Sequence, residues 1–242
     1  MAQKSPRALL SSLSPTMVGP DGIWKSPLLR ISRSVMPTLE QARASMQRAV
    51  RKLEATHETL IDTVGVAAAT GAMVNHLGWI LYGFSQIGMD DQALGVLGGL
   101  AMRIDRGQGS VLASPNSVLW NPESRRFLAA LSKVTVAVPD VVLVSVDGKL
   151  LDRAPAAGTV ASLALKQACD DLAVAIEKFE AVIATVIAEE SLAAATCALA
   201  NHLGVVLHLM KEKGRAYVVK NILIVLEHLS TTGKDSGAPV LH

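Results

Sequence analysis

Two histidines, each directly after an asparagine, are the residues of this 242-residue chain best suited to binding a ligand. His76 follows Asn75 and His202 follows Asn201, so the two pairs are 126 residues apart. On a helix, each imidazole would lie on the same face as alanines one and two turns earlier. Two such imidazoles can be axial ligands of a haem or chlorophyll-type ring, which is the tetrapyrrole alternative. The first interpretation is structural: Asn and His bridge or cap a buried helix crossing, and no cofactor is expected.

A Glu-x-x-His motif at Glu54 and His57 raises a second ligand hypothesis, a di-metal centre. The spacing puts a carboxylate and an imidazole on one helix face, as carboxylate-bridged di-iron bundles require. Those bundles use two such motifs, whereas the residue 126 positions after His57 is Ile183. The chain also lacks a dinucleotide-binding loop, a phosphate-binding loop ending in Lys-Ser or Lys-Thr, and an HExxH motif. We therefore predict no metal site and no enzyme activity.

The Asn-His pairs belong to a longer internal repeat, and this repeat predicts the architecture. Between Leu39 and Gly88, about twenty of the fifty positions carry the same residue as the position 126 further along. A period of this kind indicates that one structural unit occurs twice. We predict a mainly α-helical protein with two homologous helical lobes. In each lobe, one asparagine and one glycine would form a helix crossing; these residues are Asn75, Gly78, Asn201 and Gly204.

Local signals divide the sequence into five segments. The stretch from Thr38 to Gln41 has the form of a capping box, which starts a helix. Asp147-Gly148 between β-prone runs is typical of a hairpin turn. The predicted segments are an extended basic N-terminal arm at 1–37, helical repeat 1 at 38–107, a linker with a short helix and a β-hairpin at 108–158, helical repeat 2 at 159–233, and a C-terminal tail at 234–242.

Positive charge is concentrated near the N-terminus. Residues 1–52 contain nine basic and two acidic side chains, a net charge of +7, whereas the other residues sum to −5. Five prolines favour an extended arm. Such an arm can dock on the acidic body of a neighbouring subunit or on the phosphates of RNA or DNA. The residues predicted to make these contacts are Lys4, Arg7, Lys25, Arg30, Arg33, Lys211, Lys213 and Arg215.

Membrane insertion is the structural alternative to a soluble helical core. Half of the residues are apolar, and residues 63–84 and 191–210 contain no Asp, Glu, Lys or Arg. Each stretch is long enough to cross a bilayer. Each is also rich in Ala, Gly and Thr and has Asn-His near its centre, which makes transfer into lipid marginal. We predict core helices of a soluble assembly and keep membrane spans as the alternative.

These observations predict a non-enzymatic, self-associating structural subunit of a large assembly, of coat, nucleocapsid or organelle-complex type. Its partners would be copies of itself or other subunits, with RNA or DNA contacted through the arm. Two alternatives stay open: a haem- or chlorophyll-binding helical protein that uses His76 and His202, and a small membrane subunit of an energy-converting complex. The sequence leaves the location open between the cell interior, an organelle and a virion.

Overall fold

The computed structural model describes residues 36–86, 88–115, 117–120, 158 and 160–232. The predicted arm, the short helix and hairpin of the linker, and the C-terminal tail lie outside these residues. Within them the protein is mainly α-helical, as predicted, and contains no strand. The five α-helices are α1 (Leu39–Gln86), α2 (Asp90–Arg106), α3 (Val160–Glu189), α4 (Leu192–Glu212) and α5 (Ala216–Thr232), and one 3₁₀ turn spans Val118–Trp120.

Helix α1 begins with the predicted capping box. The Thr38 amide donates to Oε1 of Gln41 at 2.8 Å, and the Gln41 amide donates to Oγ1 of Thr38 at 3.2 Å. The helix is interrupted at Gly65, whose φ of 87° and ψ of 160° suit glycine because it has no Cβ. At the position 126 further along, Ser191 separates α3 from α4, and its Oγ accepts from the Ala194 amide at 3.0 Å.

The helix boundaries follow the 126-residue spacing of the sequence. Helices α1 and α4 end at Gln86 and Glu212, and α2 and α5 begin at Asp90 and Ala216. The connecting turns contain Gly88 and Gly214, both with positive φ. The two halves therefore have the same order of helices and breaks, while their origin by duplication stays a prediction.

The two halves interlock instead of standing apart as lobes. The principal partner of α2 is α4 and that of α5 is α1, so the last helix of each half packs on the other half. Helix α3 lies along α1. Both halves contribute to one hydrophobic core, built mainly from alanine, leucine and valine. Its largest fully buried side chains include Leu77, Phe84, Phe179, Leu199 and Leu203.

Two glycines permit close contact at these crossings. A Cβ built on Gly78 would lie 2.6 Å from Cβ of Leu229 in α5. A Cβ built on Gly204 would lie 3.0 Å from Cδ of Arg103 in α2. Leu229 and Arg103 are also 126 residues apart, so the two halves use the same contact. At both predicted crossing glycines, therefore, the opposite half occupies the space that a side chain would need.

Two helical stretches, Leu39–Ser85 and Leu192–Glu212, are long and apolar enough to cross a membrane by length and composition. The protein itself buries 61% and 78% of their most apolar windows. Core helices of soluble proteins have the same composition, so the two stretches are weak evidence for a membrane location.

Replacing Gly78 by alanine should destabilise the fold, because the new methyl group would overlap Leu229. Overpacking of this kind costs about 1–3 kcal/mol, which exceeds the gain of up to about 1 kcal/mol in helix propensity. The matched control is Gly98→Ala in α2, where a Cβ would meet nothing within 4 Å. Urea unfolding should show a lower midpoint for Gly78→Ala and a slightly higher one for Gly98→Ala. Equal shifts of the two urea midpoints in the same direction would contradict the close contact between Gly78 and Leu229.

Candidate functional site

A buried pair of histidines joins α1 to α4. Nδ1 of His57 and Nε2 of His202 are 3.0 Å apart, and the two rings meet edge to face with centroids 4.9 Å apart. Only 3% of His57 and 9% of His202 is exposed. One of the two nitrogens must carry the hydrogen of this bond, so at least that ring is in a defined tautomer. The partner of His202 is thus His57, the residue whose Glu-x-x-His motif raised the hypothesis of a di-metal centre.

Among the described residues, one buried nitrogen of this pair has no hydrogen-bond partner. Nε2 of His57 is buried and makes no hydrogen bond in the described part of the chain. The centroid of the Phe179 ring lies 6.3 Å from that of the His57 ring. It also lies 6.3 Å from the centroid of the His76 ring. If Nδ1 of His57 donates to His202, Nε2 is left as an acceptor, which avoids burying an N–H donor without a partner.

His76 has a local role in this cluster. Its Nδ1 is 2.8 Å from the carbonyl oxygen of Ala72 one turn earlier, so Nδ1–H donates within its own helix. The side chain is half-buried, and burial lowers its pKa to about 4 although the hydrogen bond to Ala72 opposes the shift. His76 and His202 are therefore engaged differently. A tetrapyrrole held by Nε2 of His202 would have to displace the bond to His57.

Burial keeps the His57–His202 pair uncharged. Burial, together with the smaller effect of the neighbouring His202, lowers the pKa of His57 to about 4. Burial also lowers the pKa of His202, against the opposing effect of the Glu54 and Glu58 carboxylates. Two neutral imidazoles can share one hydrogen bond, whereas protonation of either would place a charge in the core.

Asn201 connects α4 to the segment that follows α2. Its Oδ1 accepts from the Val111 amide at 2.9 Å, and its Nδ2 donates to the Val111 carbonyl at 2.6 Å. Nδ2 also lies 2.7 Å from the Cys197 carbonyl. Nε of Arg103 donates to the Asn201 carbonyl at 3.0 Å, and the same guanidinium bonds the Gly109 carbonyl. Asn201 therefore holds a loop against a helix, and its matching residue Asn75 is buried at the corresponding place on α1.

Three of the predicted basic contact residues, Lys211, Lys213 and Arg215, lie within the described residues. Lys211 is ion-paired with Asp105 at 2.8 Å, and the two link α4 to α2. Lys213 and Arg215 are exposed at the turn between α4 and α5. The arm residues of the predicted set lie outside the described residues. Lys211 thus forms an exposed ion pair with a residue of its own chain, which the sequence did not indicate.

Comparison of the chain with protein-family models, curated proteins and solved structures found no match. Across the described helices and loops, no group of three or more His, Cys, Asp or Glu side chains is placed to hold a metal ion. A special role for His57 could have been suspected from the sequence, because the repeat is not kept at this position. The matching residue, 126 positions further along, is Ile183. Its pairing with His202 had no sequence signal.

Acidification should weaken the fold through the histidine pair. The folded-state pKa of His57 lies below the ordinary 6.5, so its contribution is complete above pH 6.5 and is lost as the pH falls toward about 4. The loss is on the order of 3 kcal/mol at about 1.4 kcal/mol per pKa unit. His57→Asn keeps a donor near Nδ1 and cannot titrate, so its free energy of unfolding should fall less steeply with pH. The free energies of unfolding would be measured by urea unfolding across this pH range. If those of parent and variant fell equally with pH, His57 would not be the source of the loss.

Proposed function

We propose that this protein is a non-enzymatic, self-associating structural subunit of a large assembly, of coat, nucleocapsid or organelle-complex type. The observation that carries the proposal is an apolar stripe on the outer face of α2. Leu94 and Met102 are 66% and 57% exposed, and Gly98 and Ala101 lie between them on the same helix face. Contiguous exposed apolar surface of this kind is typical of contacts between proteins. The stripe is defined here as Leu94, Gly98, Ala101 and Met102.

Other helices also carry exposed apolar side chains. Leu163 and Val174 of α3 and Leu209 of α4 are exposed, as is Tyr217 at the start of α5. Isolated exposed apolar residues are common on monomers, so these four are secondary to the α2 stripe. Together they give the bundle several faces on which a neighbour could bury surface, as an extended assembly needs.

The charge distribution supports an arm-to-body contact between subunits. Three acidic side chains, Glu54, Glu58 and Asp62, are exposed at four-residue intervals on α1 and so line one helix face. The basic arm of a neighbouring subunit has the complementary charge. Attraction between the two would be weakened by salt, since exposed charges are screened over about 8–10 Å at physiological ionic strength. RNA or DNA is the competing ligand for the arm, because phosphates attract the same lysines and arginines.

Deleting residues 1–36 should leave the helices intact and abolish assembly. Circular dichroism would report the helices, and size-exclusion chromatography with light scattering would report the particle. Ultraviolet and visible absorbance of the same eluate would reveal nucleic acid or a tetrapyrrole. If the truncated protein forms the same particle, the arm mechanism is wrong.

A charge reversal tests the acidic face separately. The triple variant Glu54→Lys, Glu58→Lys and Asp62→Lys should weaken assembly of the full chain, because it would repel the basic arm. The control is Glu177→Lys with Glu180→Lys, which reverses exposed charges on α3. Equal effects of the two variants would indicate a general charge effect and would contradict docking on α1.

A further inference from the structure

An open groove runs between α2 and α5. Its volume is about 430 Å³, and its mouth is wide open to solvent. The groove exists because α2 packs on α4 and α5 packs on α1, which leaves the space between α2 and α5 unfilled. We call it the α2–α5 groove. Its apolar lining residues are Ala101, Ile104, Ala216, Val219, Leu223 and Ile224.

The groove continues directly into the α2 stripe, because Ala101 belongs to both. Beyond Ala101 the stripe carries Leu94 and Met102, whose long apolar side chains are mostly exposed. Gly98 between them has no side chain, so the two project separately, about 12 Å apart along the helix. One continuous surface therefore has apolar projections beside an apolar groove. A surface of this kind can be complementary to a second copy of itself, as a two-fold contact requires.

The fold shared by the two halves does not require an apolar stripe. The positions that match Leu94 and Ala101 in α5 are Lys220 and Glu227, and both are exposed. Helix α5 nevertheless packs on α1 as α2 packs on α4, so this helix surface tolerates charge. Gly98 is also not needed by the fold, since in the described part of the chain a Cβ there would meet nothing within 4 Å. The composition of the stripe thus points to a partner outside the single chain.

Charge favours the α2 helix of a second copy as that partner. One end of the groove adjoins the turn between α4 and α5, where Lys211 is paired with Asp105. The other exposed basic residues at this end are Lys213, Arg215 and Lys220, with Glu212 as an acidic neighbour. The first turn of α2 carries Asp90 and Asp91, both exposed, just before Leu94. An entering stripe can therefore bring its acidic start to the basic end of the groove.

Length favours a helix over a small molecule. The lining residues of α5 extend from Ala216 to Glu227, about 16 Å along the helix axis, so the stripe fits within this length. Leu94, Gly98 and Ala101 recur at intervals of four and three, the pattern by which a helix lays one apolar face into a groove. A small molecule in so open a groove would remain largely in contact with water.

We propose that two copies form a two-fold dimer in which the α2 stripe of each copy lies in the α2–α5 groove of the other. This inference rests on self-association, the proposed function, and names the contact by which copies pair. It differs from the arm-to-body contact, which uses charges on α1. In about 1 M salt, where exposed charges are screened within about 3 Å, the apolar contact should persist and the arm contact should not.

Sedimentation of the full chain in about 1 M salt tests the dimer. The parent chain should be a dimer, and Leu94→Glu should lower the association constant at least about a hundredfold, because each dimer loses two buried leucines. The matched control is Leu163→Glu, which alters a similarly exposed leucine of α3 and should leave the dimer unchanged. Circular dichroism should give both variants the helix content of the parent. A Leu94→Glu protein that dimerises like the parent overturns the proposal.

A mixture of two variants tests whether the contact is reciprocal between copies. Ala216→Trp should fill the groove and prevent dimerisation, whereas Ala181→Trp on the exposed face of α3 should not. Leu94→Glu still offers an open groove, and Ala216→Trp still offers an intact stripe. Their mixture should therefore form heterodimers held by one of the two contacts, more tightly than either variant pairs with itself. A mixture that associates no better than the separate variants overturns the proposal.

The same measurements separate this inference from the assembly role. A parent chain that is monomeric in about 1 M salt, yet forms particles at physiological salt, overturns the dimer and leaves the assembly role standing. A parent dimer that never grows into a larger particle at physiological salt supports the dimer and overturns the assembly role. A chain that is monomeric under both conditions overturns both.

Discussion

The close approach of helices at Gly78 and Gly204 is the constraint on which the rest of the structure depends. At each glycine, the last helix of one half occupies the space where a side chain of the other half would stand. This contact places Arg103 beside Asn201, so that the guanidinium can bond the backbone on both sides of the crossing. A core of alanine and leucine with few aromatic rings suits such contacts, because thin helices can pack closely.

Polar groups inside this core have different roles in the two halves, although the sequence repeats them. Asn201 holds a loop, His202 pairs with His57, and His76 bonds a carbonyl of its own helix. Their environment explains the difference, since position 183, which matches His57, is isoleucine. The repeated Asn-His motif thus reflects a shared backbone arrangement. The hydrogen bonds of its side chains differ between the two halves. Each imidazole stays neutral because the surrounding core disfavours its charged form.

Local features of the fold could be predicted from the sequence. The capping box at Thr38 depends on residues three positions apart, and the equivalent helix breaks follow from the repeat. The pairing of His57 with His202 could not be predicted, because the two residues are 145 positions apart and meet only once the helices cross. The packing of α2 on α4 and of α5 on α1 could not be predicted for a similar reason. A period in a sequence identifies equivalent surfaces but does not say which of them face each other.

The interlocked arrangement has a consequence for half of the chain on its own. Residues 39–106 alone would present the surface of α1 that α5 covers and the surface of α2 that packs on α4. Two copies of such a half could cover these surfaces mutually, as an isologous two-fold dimer with exchanged last helices. Joining the halves in one polypeptide replaces that bimolecular encounter by an intramolecular one, at an effective concentration set by the connecting segment. Burial of these two surfaces in the full chain therefore does not require a second copy, whereas in a dimer of halves it would depend on protein concentration.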